Sequence, residues 1–164
     1  KNVLVSSLER RSNLMLKTLH ILGVVLFLGN IIISFVWRLL AQRIDDKAVH
    51  KFSIKLIQRT DFIFMVPGVI IIGVTGHMLA PALGGIGAHP WIYHSYALLT
   101  LSVLIWVAGL LPIQRKQMRL IDESHSLKEA GVRYKALNRW WSILGAIATV
   151  LPLIALYLMV VRPE

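Results

Sequence analysis

Residues 62–114 read FIFMVPGVIIIGVTGHMLAPALGGIGAHPWIYHSYALLTLSVLIWVAGLLPIQ, and this run of 53 residues contains no Asp, Glu, Lys or Arg. A transmembrane helix needs about 20 consecutive, predominantly apolar residues. The run is therefore long enough for two membrane spans joined by a short connection, which the Gly- and Pro-rich segment at residues 80–90 supplies. No buried element of a soluble domain requires an uncharged stretch of this length, so the sequence predicts an integral membrane protein.

Two further apolar blocks, residues 18–37 and 140–161, flank this run, and each is bounded by charged residues. Of the 164 residues, 56% are hydrophobic and 16% are charged, whereas a soluble domain has about 25% charged residues. The sequence therefore predicts an all-α fold, a four-helix transmembrane bundle in which residues 1–164 form a single integral membrane domain. The predicted spans cover about residues 14–40, 62–80, 91–112 and 140–161.

The basic residues are sorted between the connections. Of the 18 Lys and Arg residues, 13 fall in the two connections at residues 38–59 and 115–139, and none falls in the middle connection. The positive-inside rule then predicts that both basic connections are cytoplasmic and that both termini lie outside. Four basic residues near the N-terminus oppose this orientation: Lys1, Arg10, Arg11 and Lys17. Because the sorting accounts for the net charge of +10, we expect a lipid bilayer as the partner and no nucleic acid.

The first basic connection contains a short amphipathic segment. Val49, Phe52 and Leu56 recur at helical spacing, which predicts a helix lying along the membrane surface. In the second span, Pro67 predicts a kink. The segment Ser126-Leu-Lys-Glu129 has the pattern of a capping box, so it predicts the start of a helix that runs on into the fourth span.

Four of the six histidines gather at the predicted outer side: His20, His77, His89 and His94. Three of them, His20, His77 and His94, lie in different spans, each roughly 5–6 Å inside its helix end at a rise of 1.5 Å per residue. The remaining two, His50 and His125, are predicted to be solvated in the basic connections. Ionisable residues inside a span indicate a functional site, so the three imidazoles at one depth mark the candidate site.

A b-type heme suits this arrangement, because it takes neutral imidazoles from two helices, one on each face of the porphyrin. Gly23 lies one turn from His20, and Gly73 lies one turn from His77. A glycine beside each ligand would let a flat macrocycle approach the helix backbone. We therefore predict heme b bound by His20, His77, Gly23 and Gly73, with the iron held by His20 and His77 and with His94 as the reserve ligand.

Other interpretations of the same residues stay open. Copper is a second candidate, because imidazole and thioether ligands both suit Cu(I), and Met15 and Met78 lie near the histidines in sequence. A quinone pocket is a third candidate, and a histidine that only hydrogen-bonds a neighbouring helix is a fourth. Asn30 predicts an interhelical hydrogen bond, and Arg38 and Asp61 could form an ion pair at the inner interface.

Several segments carry a resemblance to a known family. They are Lys17-Thr-Leu-His20-Ile-Leu-Gly23 with Gly29-Asn30, Asp61–Gly68 with Val74-Thr-Gly76, Leu111–Arg115 and Tyr134–Trp140. From Leu14 to Pro163 the chain resembles a bacterial family of predicted four-helix integral membrane proteins of unknown function. That family is similar in layout to the copper-resistance CopD-like proteins and to the heme-binding protoporphyrinogen oxidase of the HemJ type.

The HemJ-type resemblance implies that His20 is an axial heme ligand. In the third helix that oxidase is expected to have a His followed closely by Lys, whereas here His94 is followed by Ser95-Tyr96. This departure argues against oxidase activity but leaves heme binding open.

The expected function is therefore that of a b-heme protein of the bacterial cytoplasmic (inner) membrane. It would transfer electrons near the outer face, with a quinol or as part of a redox complex. The alternatives are a cofactor-free accessory subunit of a larger membrane complex and a copper-handling CopD-like protein. Hydrolytic chemistry is not expected, because no pair of carboxylates lies within the predicted bundle, and no catalytic residue is assigned.

Overall fold

The computed structural model describes the backbone of residues 2–163 and the side chains of residues 10–163. The α-helices are α1 (Asn2–Ala41), α2 (Lys47–Thr60), α3 (Val66–Leu79), α4 (Pro90–Ile105), α5 (Leu111–Glu123) and α6 (Leu127–Val161). A π-helical turn at Asp61–Met65 joins α2 to α3, a second at Trp106–Leu110 joins α4 to α5, and a 3-10 turn at Ala80–Leu83 follows α3. The described residues contain no strand.

These elements combine into four long helices. The second and third of these in chain order, Lys47–Leu83 and Pro90–Glu123, each run without a break through a π-helical turn. Together with α1 and α6 they are long and apolar enough to cross a membrane. The predicted all-α, four-helix transmembrane bundle is therefore confirmed.

Pro67, which was expected to kink the second span, follows the first π-helical turn, and Pro112 follows the second. Val66 N–H donates to the Asp61 carbonyl, and Leu111 N–H donates to the Trp106 carbonyl. A proline has no amide N–H and its ring crowds the preceding turn, and a wider π-helical turn just before it gives the ring room. As a result α2 continues into the second span instead of lying along the membrane surface, and the third long helix continues past Pro112.

Close contacts between helices set the packing of the bundle. A Cβ on Gly23 of α1 would lie 2.9 Å from Ile71 Cγ2 of α3, so these two helices touch almost backbone to backbone. Ser102 Oγ of α4 donates to the Ala148 carbonyl of α6 at 2.7 Å. The bundle therefore consists of one pair formed by α1 and α3 and a second formed by α4 and α6.

The two ends of the bundle differ in structure. One end, called here the basic end, contains the α1–α2 and α5–α6 connections and has its own small core. That core consists of Ile54, Ile121, Ala130 and Tyr134. The other end, called here the terminal end, contains the α3–α4 connection and the last residues of α6. The long helices thus form a second packed layer at the basic end.

The start of α6 agrees with the capping-box prediction. Ser126 is the N-cap, and its Oγ accepts a hydrogen bond from Glu129 N–H at 3.2 Å. Glu129 Oε2 in turn accepts from His125 N–H at 2.6 Å. The helix does not run on without interruption, because Gly131 has φ 61° and ψ −152° and the chain kinks there. This conformation is essentially restricted to glycine.

Candidate functional site

A cavity of about 720 Å³ opens at the terminal end between the α1–α3 pair and the α4–α6 pair. All four long helices contribute to this terminal cavity. Its polar lining residues are Asn13, Lys17, His20, Ser95, Tyr96 and Arg162. The other lining residues are aliphatic residues, Trp, Met and Gly, and none is acidic. The cavity is therefore an apolar space with one imidazole and two cationic side chains.

The hydrogen bonds around His20 determine which of its nitrogens is available. His20 Nδ1 lies 2.9 Å from Thr75 Oγ1. The hydroxyl of Thr75 donates its single proton to the Ile71 carbonyl at 2.5 Å, so Thr75 Oγ1 accepts from the imidazole. This network assigns the ring proton of neutral His20 to Nδ1. Nε2 then carries the lone pair.

Gly76 makes room for two polar side chains on the inner face of α3. A Cβ at this position would lie 3.2 Å from His20 Cε1 and 3.2 Å from the Tyr96 hydroxyl oxygen. The Tyr96 hydroxyl is buried and has no hydrogen-bond partner among the described residues. Sequence reasoning missed the position of Tyr96 beside His20.

The structure does not bring the three predicted iron ligands together. α3 faces His20 with Thr75 and Gly76, and the next residue is rotated by about 100° around the helix axis. His77 is accordingly exposed and does not line the cavity. His94 is also exposed, and its Nδ1 lies 2.7 Å from the Pro90 carbonyl oxygen.

The two glycines that were predicted to border the heme, Gly23 and Gly73, lie in different surroundings from those expected. Gly23 lies in the tight contact between α1 and α3, where a Cβ would also come within 3.1 Å of the Gly68 carbonyl oxygen. Gly73 has open space, because no atom lies within 4 Å of a Cβ built on it. Neither glycine lines the terminal cavity. Among the described residues no group of three or more His, Cys, Asp or Glu is placed to hold a metal ion.

The expected ion pair between Arg38 and Asp61 is wrong. Asp61 is buried, and it accepts hydrogen bonds from Asn30 Nδ2 at 2.7 Å and from Trp106 Nε1 at 3.1 Å. The interhelical hydrogen bond predicted for Asn30 is thus confirmed, with Asp61 as its partner. Asp61 and Trp106 are the first residues of the two π-helical turns, so this contact joins the two turns.

His50 also differs from its prediction. It was expected to be solvated, but it is buried at the basic end. Its Nδ1 lies 2.8 Å from the Tyr134 hydroxyl, and its Nε2 lies 2.9 Å from the Ile44 carbonyl oxygen. Because the carbonyl can only accept, Nε2 carries the proton and Nδ1 accepts from Tyr134.

Residues 14–163 match the family described as "Predicted integral membrane protein (DUF2269)". Because the match covers nearly the whole chain, the protein belongs to this family, and the resemblance to a family of four-helix membrane proteins of unknown function is confirmed. No curated protein and no solved structure matches the chain. The comparisons therefore give no support to the likeness to CopD-like or HemJ-type proteins.

Proposed function

We propose that this member of the DUF2269 family is a b-heme protein that transfers electrons, with His20 as the single protein ligand to the iron in the terminal cavity. The observation that carries the proposal is the hydrogen bond from His20 Nδ1–H to Thr75 Oγ1 at 2.9 Å. A metal-ligating histidine commonly donates one ring N–H to an oxygen, which fixes the ring and leaves the other nitrogen for the metal. With Nδ1 as the donor to Thr75, the lone pair for a metal is on Nε2.

The terminal cavity has a size and a lining that suit a porphyrin. Its volume of about 720 Å³ lies within the range of about 300–1,000 Å³ of small-molecule sites. Its walls are apolar, and Lys17 within α1 and Arg162 just after α6 supply positive charge. Carboxylates of a heme would pair with such cations, and no acidic residue lines the cavity to repel them.

Each side chain has a defined part in this proposal. A b heme, when bound, supplies a one-electron carrier. Thr75 orients the imidazole of His20, and Lys17 and Arg162 bind the carboxylates. The apolar walls exclude water. The buried hydroxyl of Tyr96, which has no partner in the protein, is available to a polar group of the bound molecule.

The proposal changes the ligand set that the sequence predicts. His77 and His94 are exposed and lie outside the cavity, so neither serves as an iron ligand here. Met15 and Met78, the thioether donors of the copper hypothesis, do not line the cavity either. A quinol or a redox partner would exchange electrons with the heme near the terminal end.

The proposed location is the bacterial cytoplasmic membrane with the basic end inside. The two connections at that end hold 13 of the 18 basic residues, and cytoplasmic loops are enriched in Lys and Arg. Both termini and the terminal cavity then face outward. This orientation places the electron-transfer site at the outer face.

Heme content of matched histidine variants tests the proposal. The protein is produced with a supply of heme, purified in detergent, and its oxidised and dithionite-reduced spectra are recorded. We expect the parent, His77→Ala and His94→Ala to carry equal amounts of heme and His20→Ala to carry none. A featureless spectrum of the parent would instead support the cofactor-free accessory subunit, and loss of heme in His77→Ala would restore the paired ligand set.

A further inference from the structure

Arg38 is a buried cation near the basic end of α1. Its side chain is 1% exposed. The guanidinium donates to Ser53 Oγ at 3.0 Å, to the Tyr134 hydroxyl at 3.3 Å and to Asn138 Oδ1 at 2.7 Å. All three acceptors are neutral, and no carboxylate of the described residues pairs with Arg38. Within the described residues the positive charge therefore has only neutral hydrogen-bond partners.

Most of the buried polar atoms that lack a partner belong to Arg38 or to residues linked to it. Among the described side chains, six buried nitrogen or oxygen atoms have no hydrogen-bond partner. They are Ser34 Oγ, Arg38 Nε, Tyr96 Oη, Gln114 Oε1, Gln117 Oε1 and Trp141 Nε1. Tyr96 lines the terminal cavity, and the other five atoms lie on Arg38 itself or on residues linked to it.

Short links connect these atoms to Arg38. Ser34 precedes Arg38 by one helical turn, which places the two side chains on one face of α1. The Arg38 guanidinium carbon lies 5.8 Å from the centroid of the Trp141 ring. Gln117 Nε2 donates at 2.7 Å to Asn138 Oδ1, the same oxygen that Arg38 uses. Gln114 lies one turn before Gln117.

Three of the five atoms are hydrogen-bond donors without an acceptor: the Ser34 hydroxyl, Arg38 Nε–H and Trp141 Nε1–H. Buried donors are nearly always satisfied by protein, water or a bound ion. Water could accept these hydrogen bonds, but it would leave the charge of Arg38 unpaired, and an unpaired buried charge is strongly unfavourable. An anion satisfies both the donors and the charge.

Asp61 does not fill this role. Both of its carboxylate oxygens already accept hydrogen bonds, one from Asn30 and one from Trp106. Asn30 and Arg38 are eight positions apart on α1, a rise of about 12 Å. The carboxylate is therefore held in a different layer of the bundle from the guanidinium.

We propose that Ser34, Arg38 and Trp141 form a binding site for a small inorganic anion, with chloride as the test ligand. The free oxygens of Gln114 and Gln117 are acceptors, so they bind water beside the anion and not the anion itself. The 13 basic residues of the two connections at this end raise the local concentration of anions. The site is distinct from the terminal cavity, and it does not depend on heme.

Thermal unfolding of the purified protein at constant ionic strength tests the site, with chloride replaced stepwise by gluconate. We expect chloride to raise the unfolding temperature in a saturable way. Ser34→Ala and Trp141→Phe each remove one donor while keeping an apolar side chain in place, and each should weaken the apparent chloride affinity about tenfold or more. Arg38→Gln should abolish the chloride effect.

Two matched variants control for general destabilisation. Ser102→Ala and Trp106→Phe also remove buried donors, but these donors already have acceptors in Ala148 and Asp61. Both variants should lower the unfolding temperature equally in either salt. The proposal fails if chloride does not stabilise the parent, or if Ser34→Ala and Trp141→Phe retain the parent's chloride affinity. These two variants decide the question even if Arg38→Gln does not fold.

Discussion

Replacing Gly76 with alanine tests whether heme binding in the terminal cavity depends on the close approach of His20 and Tyr96 to α3. A Cβ at position 76 would lie 3.2 Å from His20 Cε1 and 3.2 Å from the Tyr96 hydroxyl oxygen. Optimal contacts between carbon atoms are about 3.5–4.0 Å, so both side chains must yield by a few tenths of an ångström. The methyl group therefore displaces the imidazole that we assign to the iron.

The expected size of the effect follows from the cost of overpacking. An extra methyl group in a packed interior costs about 1–3 kcal/mol, and about 1.4 kcal/mol corresponds to a tenfold change in affinity. If the displaced imidazole is the iron ligand, heme affinity falls about 5- to 150-fold. The helix itself is not harmed, because alanine has a higher helix propensity than glycine.

Gly73→Ala is the matched control, because no atom lies within 4 Å of the added Cβ. Titration of hemin into the purified proteins, followed by absorbance, measures both affinities. We expect Gly73→Ala to bind heme like the parent. Heme binding by His20 beside Gly76 is refuted if Gly76→Ala binds heme like the parent, or if Gly73→Ala is the variant that loses heme. The second result would favour a porphyrin held next to His77.

Three further predictions concern other parts of the structure. Thr75→Val removes the acceptor that orients His20, so heme affinity should fall about tenfold in a hemin titration, whereas Thr75→Ser should stay close to the parent. Gly131→Ala forces an L side chain into the φ 61° conformation, so the free energy of unfolding should fall by about 1–3 kcal/mol in detergent; an unchanged value would contradict the kink. A reporter that works only in the cytoplasm should be active when it is fused after Ser124, and a reporter that works only outside should be active when it is inserted at Gly85. The reverse pattern would contradict the proposed orientation.

The number and placement of the spans could be predicted from the sequence because hydropathy and charge act locally. The 53 uncharged residues at 62–114 require lipid whatever the helices pack against. The course of the chain at Pro67 and Pro112 could not be predicted in the same way. A proline ends or kinks a helix by default, and here a π-helical turn before each proline lets the long helix continue.

The depth of the histidines was accessible from the sequence, but their rotation about the helix axes was not. Distance from a span boundary gives the depth of His20 and His77 equally well. Which face of α3 meets α1 depends on the contact of Gly23 with Ile71. That contact turns Thr75 and Gly76 toward His20 and leaves His77 exposed. The rotation of about 100° from Gly76 to His77 around the axis of α3 thus keeps the predicted ligand His77 out of the cavity.

The polar residues near the basic end were misjudged for a related reason. Opposite charges at a similar depth suggested that Arg38 and Asp61 pair. In the structure each is held by neutral groups from other helices, Arg38 by Ser53, Tyr134 and Asn138. Such partners come from positions up to 100 residues away, so a sequence pattern within one helix does not reveal them.

Imidazole rescue of His20→Gly is the most direct test of whether His20 is the protein ligand to heme iron. This variant removes the ring that we assign to the iron and leaves a space in the terminal cavity that free imidazole can occupy. We expect the parent to have a reduced b-heme spectrum, His20→Gly to lack it, and added imidazole to restore it. Heme binding through His20 is contradicted if the parent carries no heme. It is also contradicted if His20→Gly keeps the parent spectrum without imidazole, or if imidazole does not restore heme to this variant.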